Sequence, residues 1–318
     1  MGICGKNIGI RYISVSAVVI VVLIGILSNA LSAVTRPKDN TPKKELQIGN
    51  FLNDNAYWTT HVLMSPHISD TDRTSIIKRA KKPGYNRIHI YGTNDDNYSE
   101  RRGGNWWAGI NNIALFYNAD QDFNHWFHWF VQCRKNGLKI TLWLWPNDAQ
   151  KTYNNESVWD DDRVVKQMKA LIDFGSTRWN KTYLVDEFVL KLEADDEWSI
   201  DRINRISARV KPLLKPGQTL WYHNQTTDLQ ILKSIAWKYF DGIRYQFSER
   251  SSREAVQTQA ISVINALPKH LKFYGSEYAV WGDRDKHIGD WILELVKDYP
   301  QIVGVDNGAT VSKSGNLK

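Results

Sequence analysis

The chain carries one group of residues whose types and spacing could do acid–base chemistry, in FVLKLEADDEWS at 188–199. Five mostly apolar residues run into Glu193, Asp195, Asp196 and Glu197. Like charges this close raise one another's pKa. In a chain of net charge +7, such a cluster needs a neutralising partner, or its raised pKa has a use. The use would be proton donation near neutral pH, with a second, ionised carboxylate opposite. Glu277, alone in YGSEYAVW at 274–281, is the candidate for that partner.

Such residues need elements to position them. From residue 57 the pattern alternates strand and helix. Strands are expected at 57–65, 86–92, 138–146, 188–193, 219–225, 241–248, 271–280 and 301–309. Helices are expected at 69–80, 122–137, 160–175, 199–210, 228–239, 253–267 and 286–299. The second helix carries Phe123, Trp126, Phe127, Phe130 and Val131 on one stripe, with Gly137 as its stop. The third has acids at its N-terminus and Val164, Val165, Met168, Leu171 and Ile172 on one face. The strands are short, β-branched or aromatic, as expected when both faces are buried. Eight strands alternating with helices predict an α/β fold, a (β/α)8 TIM barrel. No Gly-rich loop follows an early strand, which argues against an open dinucleotide-binding sheet.

In such barrels the functional groups come from the C-terminal strand ends and the loops beyond them. Two of those loops are long, at 92–122 and 146–159. Strand two presents His89 and Tyr91 at its end. Strand three presents Trp143, Trp145, Asn147 and Asp148, and strand four the acidic cluster with Trp198 behind it. Strand five gives His223 and Asn224, and strand six Tyr245 and Gln246. Strand seven gives Glu277 with Trp281 close behind, and strand eight Asp306 and Asn307. There is no lysine poised as a Schiff base and no phosphate cradle. Carboxylates, amides and rings together suit a sugar: acids for chemistry, rings for stacking, amides for hydroxyls. Of the fourteen Trp, those in or near loops are the stacking candidates: Trp106, Trp107, Trp145, Trp198 and Trp281. Substrate contacts are expected from this rim set, Asp196 included. The histidines show no HxH or HExxH spacing, so neither a metal nor a cofactor is expected.

Glycoside hydrolysis needs one carboxyl group kept protonated for the leaving oxygen. The other must be ionised, to attack the anomeric carbon or activate water. A Glu after strand four and another after strand seven resembles clan A, the 4/7 superfamily of retaining (β/α)8 glycoside hydrolases that includes the family five cellulases. In many of those, strand four ends in Glu, two apolar residues and Asn-Glu. Glu193, Ala194, Asp195, Asp196 and Glu197 hold the same spacing here. The resemblance implies Glu197 as acid/base, Glu277 in GSEYA as nucleophile, and Tyr245 as the tyrosine that supports the nucleophile.

Asp196 stands where the family has the Asn that binds the sugar's 2-hydroxyl. The family's arginine near the end of strand two has no clear counterpart: Arg87 lies earlier and His89 nearer that place. A second register makes Glu193 the acid/base, since it is closer to the predicted strand end. The non-catalytic readings are an ion pair of Glu193 with Lys191 or Arg87, and a helix-dipole role for Glu197. The function expected is cleavage of glycosidic bonds in an extracellular polysaccharide or glycan, by a retaining double displacement with two Glu. The alternative, which the Asp196 departure favours, is a non-catalytic carbohydrate-binding barrel of the cell envelope or surface.

At the N-terminus, 13–34 is an uncharged run preceded by Lys6 and Arg11. Its apolar core at 15–27 has signal-peptide length, and NALSA at 29–33 offers small residues for cleavage. The whole run is also just long enough to span a bilayer. Residues 1–34 are thus read as a signal peptide or a single-pass anchor. Residues 35–50, polar with two prolines, read as a linker, and 51–318 as the catalytic barrel domain. The protein is expected to be secreted or membrane-anchored, with the barrel outside the cytoplasm. Only Cys133 lies in the exported part, so there is no disulfide framework. The +7 charge falls by two when Lys6 and Arg11 are set aside, and the remaining Lys and Arg are dispersed. Nucleic-acid binding is not expected. The expected partner is the carbohydrate substrate, with the membrane met only through an uncleaved N-terminus and the protein a monomer.

Overall fold

The computed structural model describes residues 45–51, 69–81, 85–93, 110–111, 119–145, 160–192, 198–247, 251–277 and 288–306. The chain divides into Met1–Glu45 and Leu46–Lys318, and the architecture below belongs to the second unit. Eight strands follow in order: β1 (Gln47–Phe51), β2 (Arg87–Thr93), β3 (Lys139–Trp145), β4 (Glu187–Leu190), β5 (Thr219–Asn224), β6 (Gly242–Phe247), β7 (Lys272–Glu277) and β8 (Ile302–Asp306). Each is parallel to the next, and β8 pairs with β1, so the sheet closes on itself. Each of the first seven is followed by a helix: α1 (Asp70–Lys81), α2 (Ala119–Lys135), α3 (Asp161–Gly175), α4 (Ile200–Val210), α5 (Leu229–Ser234), α6 (Arg253–Ala266) and α7 (Ile288–Leu293). This is the (β/α)8 barrel that the alternation predicted.

The helices begin where short polar side chains can take up free backbone N–H groups. Asp160 accepts from the Arg163 N–H at the start of α3, Ser199 from Arg202 at α4, and Ser252 from Ala255 at α6. Gly137, at φ 72°, ends the run of α2 in the left-handed region. The α3–α4 contact is laced by Asp161 with Arg202 and Arg205, at 2.8 and 3.1 Å.

Alternation along the strands divides the core in two. Ile88, Ile140, Leu142, Phe188, Leu190, Leu220, Ile243 and Phe273 face outward, into a large apolar layer shared with Trp129, Phe130, Met168, Ile203 and Val263 of the helices. A second, small cluster lines the barrel lumen: Trp143, Val189, Trp221, Tyr274 and Val303, the last at a register shift in the β7–β8 pairing that interrupts the alternation.

The first strand corrects the sequence reading. Gln47–Phe51 lies where the linker was expected to run, and it pairs with both β8 and β2. QIGNF has little strand propensity of its own. What it supplies is Gly49, whose position leaves no space for a side chain: a Cβ there would lie 2.1 Å from His89 Nε2 and 2.4 Å from the Tyr274 hydroxyl. The segment 57–65, expected as the first strand, lies outside the described residues, as does the apolar run 13–34. Among the described residues no helix is long and apolar enough to cross a membrane.

Candidate active site

The lumen is polar at two levels. Near the strand starts, Arg87 on β2 and Arg244 on β6 converge on one oxygen of Glu187 on β4, at 3.0 and 2.6 Å. Thr141 on β3 accepts from Arg87 at 2.7 Å. None of these three charged residues is on neighbouring strands, so their contacts cross the inside of the ring. Burial alone would raise the Glu187 carboxyl, but the two guanidinium groups hold it below its ordinary pKa. Arg244 lies 3.7 Å from the centre of the Tyr274 ring and 5.3 Å from that of Trp221. Among the described residues no hydrogen-bond acceptor meets its Nε and Nη1. The π faces take that place for its charge.

One level higher, the Asp306 carboxylate at the end of β8 gathers three hydrogen bonds. His89 Nε2 is 2.8 Å from Oδ1, the Tyr274 hydroxyl is 2.7 Å from Oδ1, and the Ser276 hydroxyl donates to Oδ2 at 2.7 Å. Trp143 Nε1–H, which can only donate, meets His89 Nδ1 at 3.2 Å. Nδ1 therefore carries no proton, and Nε2–H is directed at Asp306. The imidazole is neutral, and its contact with Asp306 is a hydrogen bond rather than an ion pair. Burial first, and the positive charges of Arg244 and Arg87 after it, outweigh Asp306 and lower the His89 pKa to about 4. For Asp306 burial pulls upward, but His89, Arg244 and the Ser276 hydroxyl bring it to about 2. Burial and the Asp306 charge push the Tyr274 hydroxyl well above its usual value. Two arginines, two carboxylates and a neutral histidine leave this set balanced in charge.

The expected rim residues divide by phase. His89, His223, Gln246 and Asp306 share the inward phase. His223 is buried with its ring edge-on to Trp143, 4.7 Å between centroids. Gln246, half-buried, donates to the Gln225 side chain at 3.1 Å. Both ring nitrogens of His89 are engaged with protein, which speaks against the substrate contact expected of it.

Three other expectations are corrected. Tyr245 follows inward-facing Arg244, so the pleat turns it outward. Its hydroxyl is 2.7 Å from the Thr226 carbonyl and accepts from Gln259 of α6 at 2.6 Å, so it cannot support a nucleophile in the lumen. Asn224 donates to the Tyr222 hydroxyl at 2.8 Å and accepts from the Thr226 N–H, which makes it a buried turn residue. Trp198 is buried in the outer layer with Arg202 stacked 4.4 Å from its ring centre, which leaves no face for a sugar.

Glu277 ends β7 opposite Phe247 of β6, and Tyr91 and Trp145 lie within β2 and β3. The side chains of these three residues lie outside the described residues, as do Glu193, Asp196, Glu197, Asn147, Asp148, Trp281 and Asn307 entirely. Among the described residues no group of three or more His, Cys, Asp or Glu could hold a metal ion. The sequence reading missed Glu187, Arg244, Tyr274 and Ser276. Their signal was a polar residue at every second place in strands otherwise apolar, as in DGIRYQF.

The chain matches no protein-family model and no curated protein. It is similar in fold to a family 5 glycoside hydrolase from Bacteroides vulgatus, with TM-score 0.50 and 10% identity over 83% of this chain and 57% of that one. A chitinase from Aspergillus fumigatus gives TM-score 0.49 and 12% identity, over 82% of this chain and 90% of that one. A dihydrodipicolinate synthase from Oceanobacillus iheyensis gives TM-score 0.45 and 11% identity, over 83% of this chain and 68% of that one. At 10% identity the likeness to the Bacteroides enzyme is one of fold, the TIM barrel. The chain spans about half the length of the Bacteroides enzyme.

Proposed function

We propose that the chain is a glycoside hydrolase working by a retaining double displacement, with Glu277 as nucleophile and a glutamate after β4 as acid/base. The observation that carries this reading is the ring order. Strands β4 and β7 are three apart in the closed barrel, so their C-terminal ends stand on one rim, and carboxylates carried just beyond them could meet across the mouth. Glu277 is the last residue of β7 and follows inward-facing Ser276, so the nucleophile role needs the chain to leave the strand pleat at this position. The inward phase of β4 contains Glu187 and Val189 and continues to buried Lys191. The next residue in that phase is Glu193. Glu197 stands two positions before Ser199, the N-cap of α4, where the positive end of a helix favours an ionised carboxylate. A proton donor needs the opposite bias. Glu193 is therefore the acid/base of this proposal, in the second of the two registers, and Glu197 is the residue to compare it with.

In the first step Glu193 gives its proton to the leaving oxygen as a Glu277 oxygen attacks the anomeric carbon. The glycosidic bond breaks and a glycosyl ester forms. In the second step Glu193 takes a proton from water, which attacks the same carbon and releases Glu277. Two inversions give net retention. The substrate would be a polysaccharide or glycan met outside the cytoplasm, if residues 1–34 export the chain.

The test is the anomeric configuration of the first-formed product, read by proton NMR, with Glu193→Gln and Glu197→Gln compared. Retention is expected. Glu193→Gln should lower turnover of substrates with poor leaving groups by about 10²–10⁴-fold, the usual contribution of a general acid. An inverted product, or a loss confined to Glu197→Gln, would overturn the assignment.

A further inference from the structure

We infer that Asp306 is a positioning residue that fixes the C-terminal end of β7, and with it Glu277, by accepting the Ser276 hydroxyl while His89 and Tyr274 hold the carboxylate in place. The inference rests on the reading of Glu277 as nucleophile. Ser276 precedes Glu277 directly in the chain. Its hydroxyl donates to Asp306 Oδ2 at 2.7 Å, a contact between neighbouring strands at the catalytic end of the barrel. The other carboxylate oxygen is held from two further directions, by His89 on β2 and Tyr274 on β7.

The carboxylate is also gripped from its backbone. The Tyr274 hydroxyl lies 2.9 Å from the Val305 carbonyl, and α7 brings Gly289 close enough that a Cβ there would be 3.2 Å from the Asp306 carbonyl. Gly49 on β1 leaves the space in which His89, Tyr274 and Asp306 meet. Charge-assisted hydrogen bonds from three side chains fix a carboxylate more firmly than one could. A nucleophile must be held within a fraction of an ångström of its attack geometry, and a misplacement of about 1 Å costs roughly a hundredfold in rate. A rigid neighbour at position 276 is what such a tolerance requires.

The test uses the full chain and the variants Ser276→Ala and Ser276→Thr, which change one hydroxyl and leave the Asp306–His89–Tyr274 contacts intact. Two readouts are taken: kcat and KM on a panel of 2,4-dinitrophenyl glycosides, and amide hydrogen exchange of the peptide ending β7. Ser276→Ala should lower kcat about ten- to a hundredfold with little change in KM. It should speed exchange at the end of β7 by up to about tenfold, the equivalent of one hydrogen bond. Ser276→Thr, which keeps a hydroxyl, should restore both. Unchanged exchange in Ser276→Ala overturns the inference whether or not the wild type turns over any glycoside. Faster exchange with undiminished kcat overturns its catalytic half. A wild type that turns over no glycoside, with exchange still faster in Ser276→Ala, removes the hydrolase reading and leaves Asp306 as the residue that fixes β7.

Discussion

His89 donates its only ring proton to Asp306 across 2.8 Å, because Trp143 occupies the other ring nitrogen at 3.2 Å. A histidine held neutral in this way makes the fold sensitive to acid. Its pKa is about 4 in the folded protein, against an ordinary value of 6.5 for a solvated imidazole. Between those values the unfolded chain binds more protons, so stability is complete above pH 6.5 and falls as pH drops toward 4. The loss attributable to His89 amounts to about 3 kcal/mol, at about 1.4 kcal/mol per pKa unit. Asp306, lowered to about 2, adds a further loss below about pH 4 with the same sign. Urea denaturation across the range from about pH 4 to about pH 7 should show this slope in the wild type and a shallower one in His89→Gln. Equal slopes would contradict the neutral, buried imidazole.

Glu187 stands between two buried guanidinium groups. Glu187→Gln removes the negative charge and leaves Arg87 and Arg244 uncompensated, at a cost of about 3–5 kcal/mol. The exposed pair of Lys169 and Asp173 offers the contrast, since both side chains are about half exposed. Lys169→Ala should change stability by less than about 1 kcal/mol. Denaturation midpoints of the two variants check the difference, and similar values would contradict the lumen ion triad.

Gly49 faces a crowded point of the lumen. Gly49→Ala would force a methyl group toward His89 and the Tyr274 hydroxyl, both held by Asp306. The expected loss is about 1–3 kcal/mol, the range for overpacking a core. Thermal melting measures it. A neutral result would show that the His89–Asp306 pair gives way easily.

Tyr245 faces the helices. Tyr245→Phe should cost about 1 kcal/mol, through the lost contacts with Thr226 and Gln259, and leave kcat unchanged. A fall in kcat without a matching fall in stability would restore Tyr245 to the site.

The barrel was legible because its signals are local. The helices announce themselves through Asp160, Ser199 and Ser252 at their starts and through apolar residues at helical spacing. The strands show β-branched and aromatic runs. β1 was not legible, because Gln47–Phe51 is a strand for the sake of its neighbours: β8 and β2 need a partner, and His89 needs the space at Gly49. The rim set was legible by type but not by direction. Asn224 ends β5 and Tyr245 lies two places before the end of β6, yet the pleat turns both away from the lumen. Phase is set by which neighbour faces inward, and Arg244 and His223 decided it. The lumen ion triad could have been found from its charges alone. An arginine inside a strand buried on both faces requires a carboxylate opposite, and Glu187 lies on β4, between β2 and β6 in the ring.

The most direct test of the hydrolase account is turnover of a glycan and aryl-glycoside panel by the purified full chain, beside Glu277→Gln. The account predicts hydrolysis of at least one class of glycoside by the wild type and its abolition in Glu277→Gln, with the fold intact by circular dichroism. Sugar binding without turnover, unchanged in Glu277→Gln, would contradict it and make the barrel a carbohydrate-binding one.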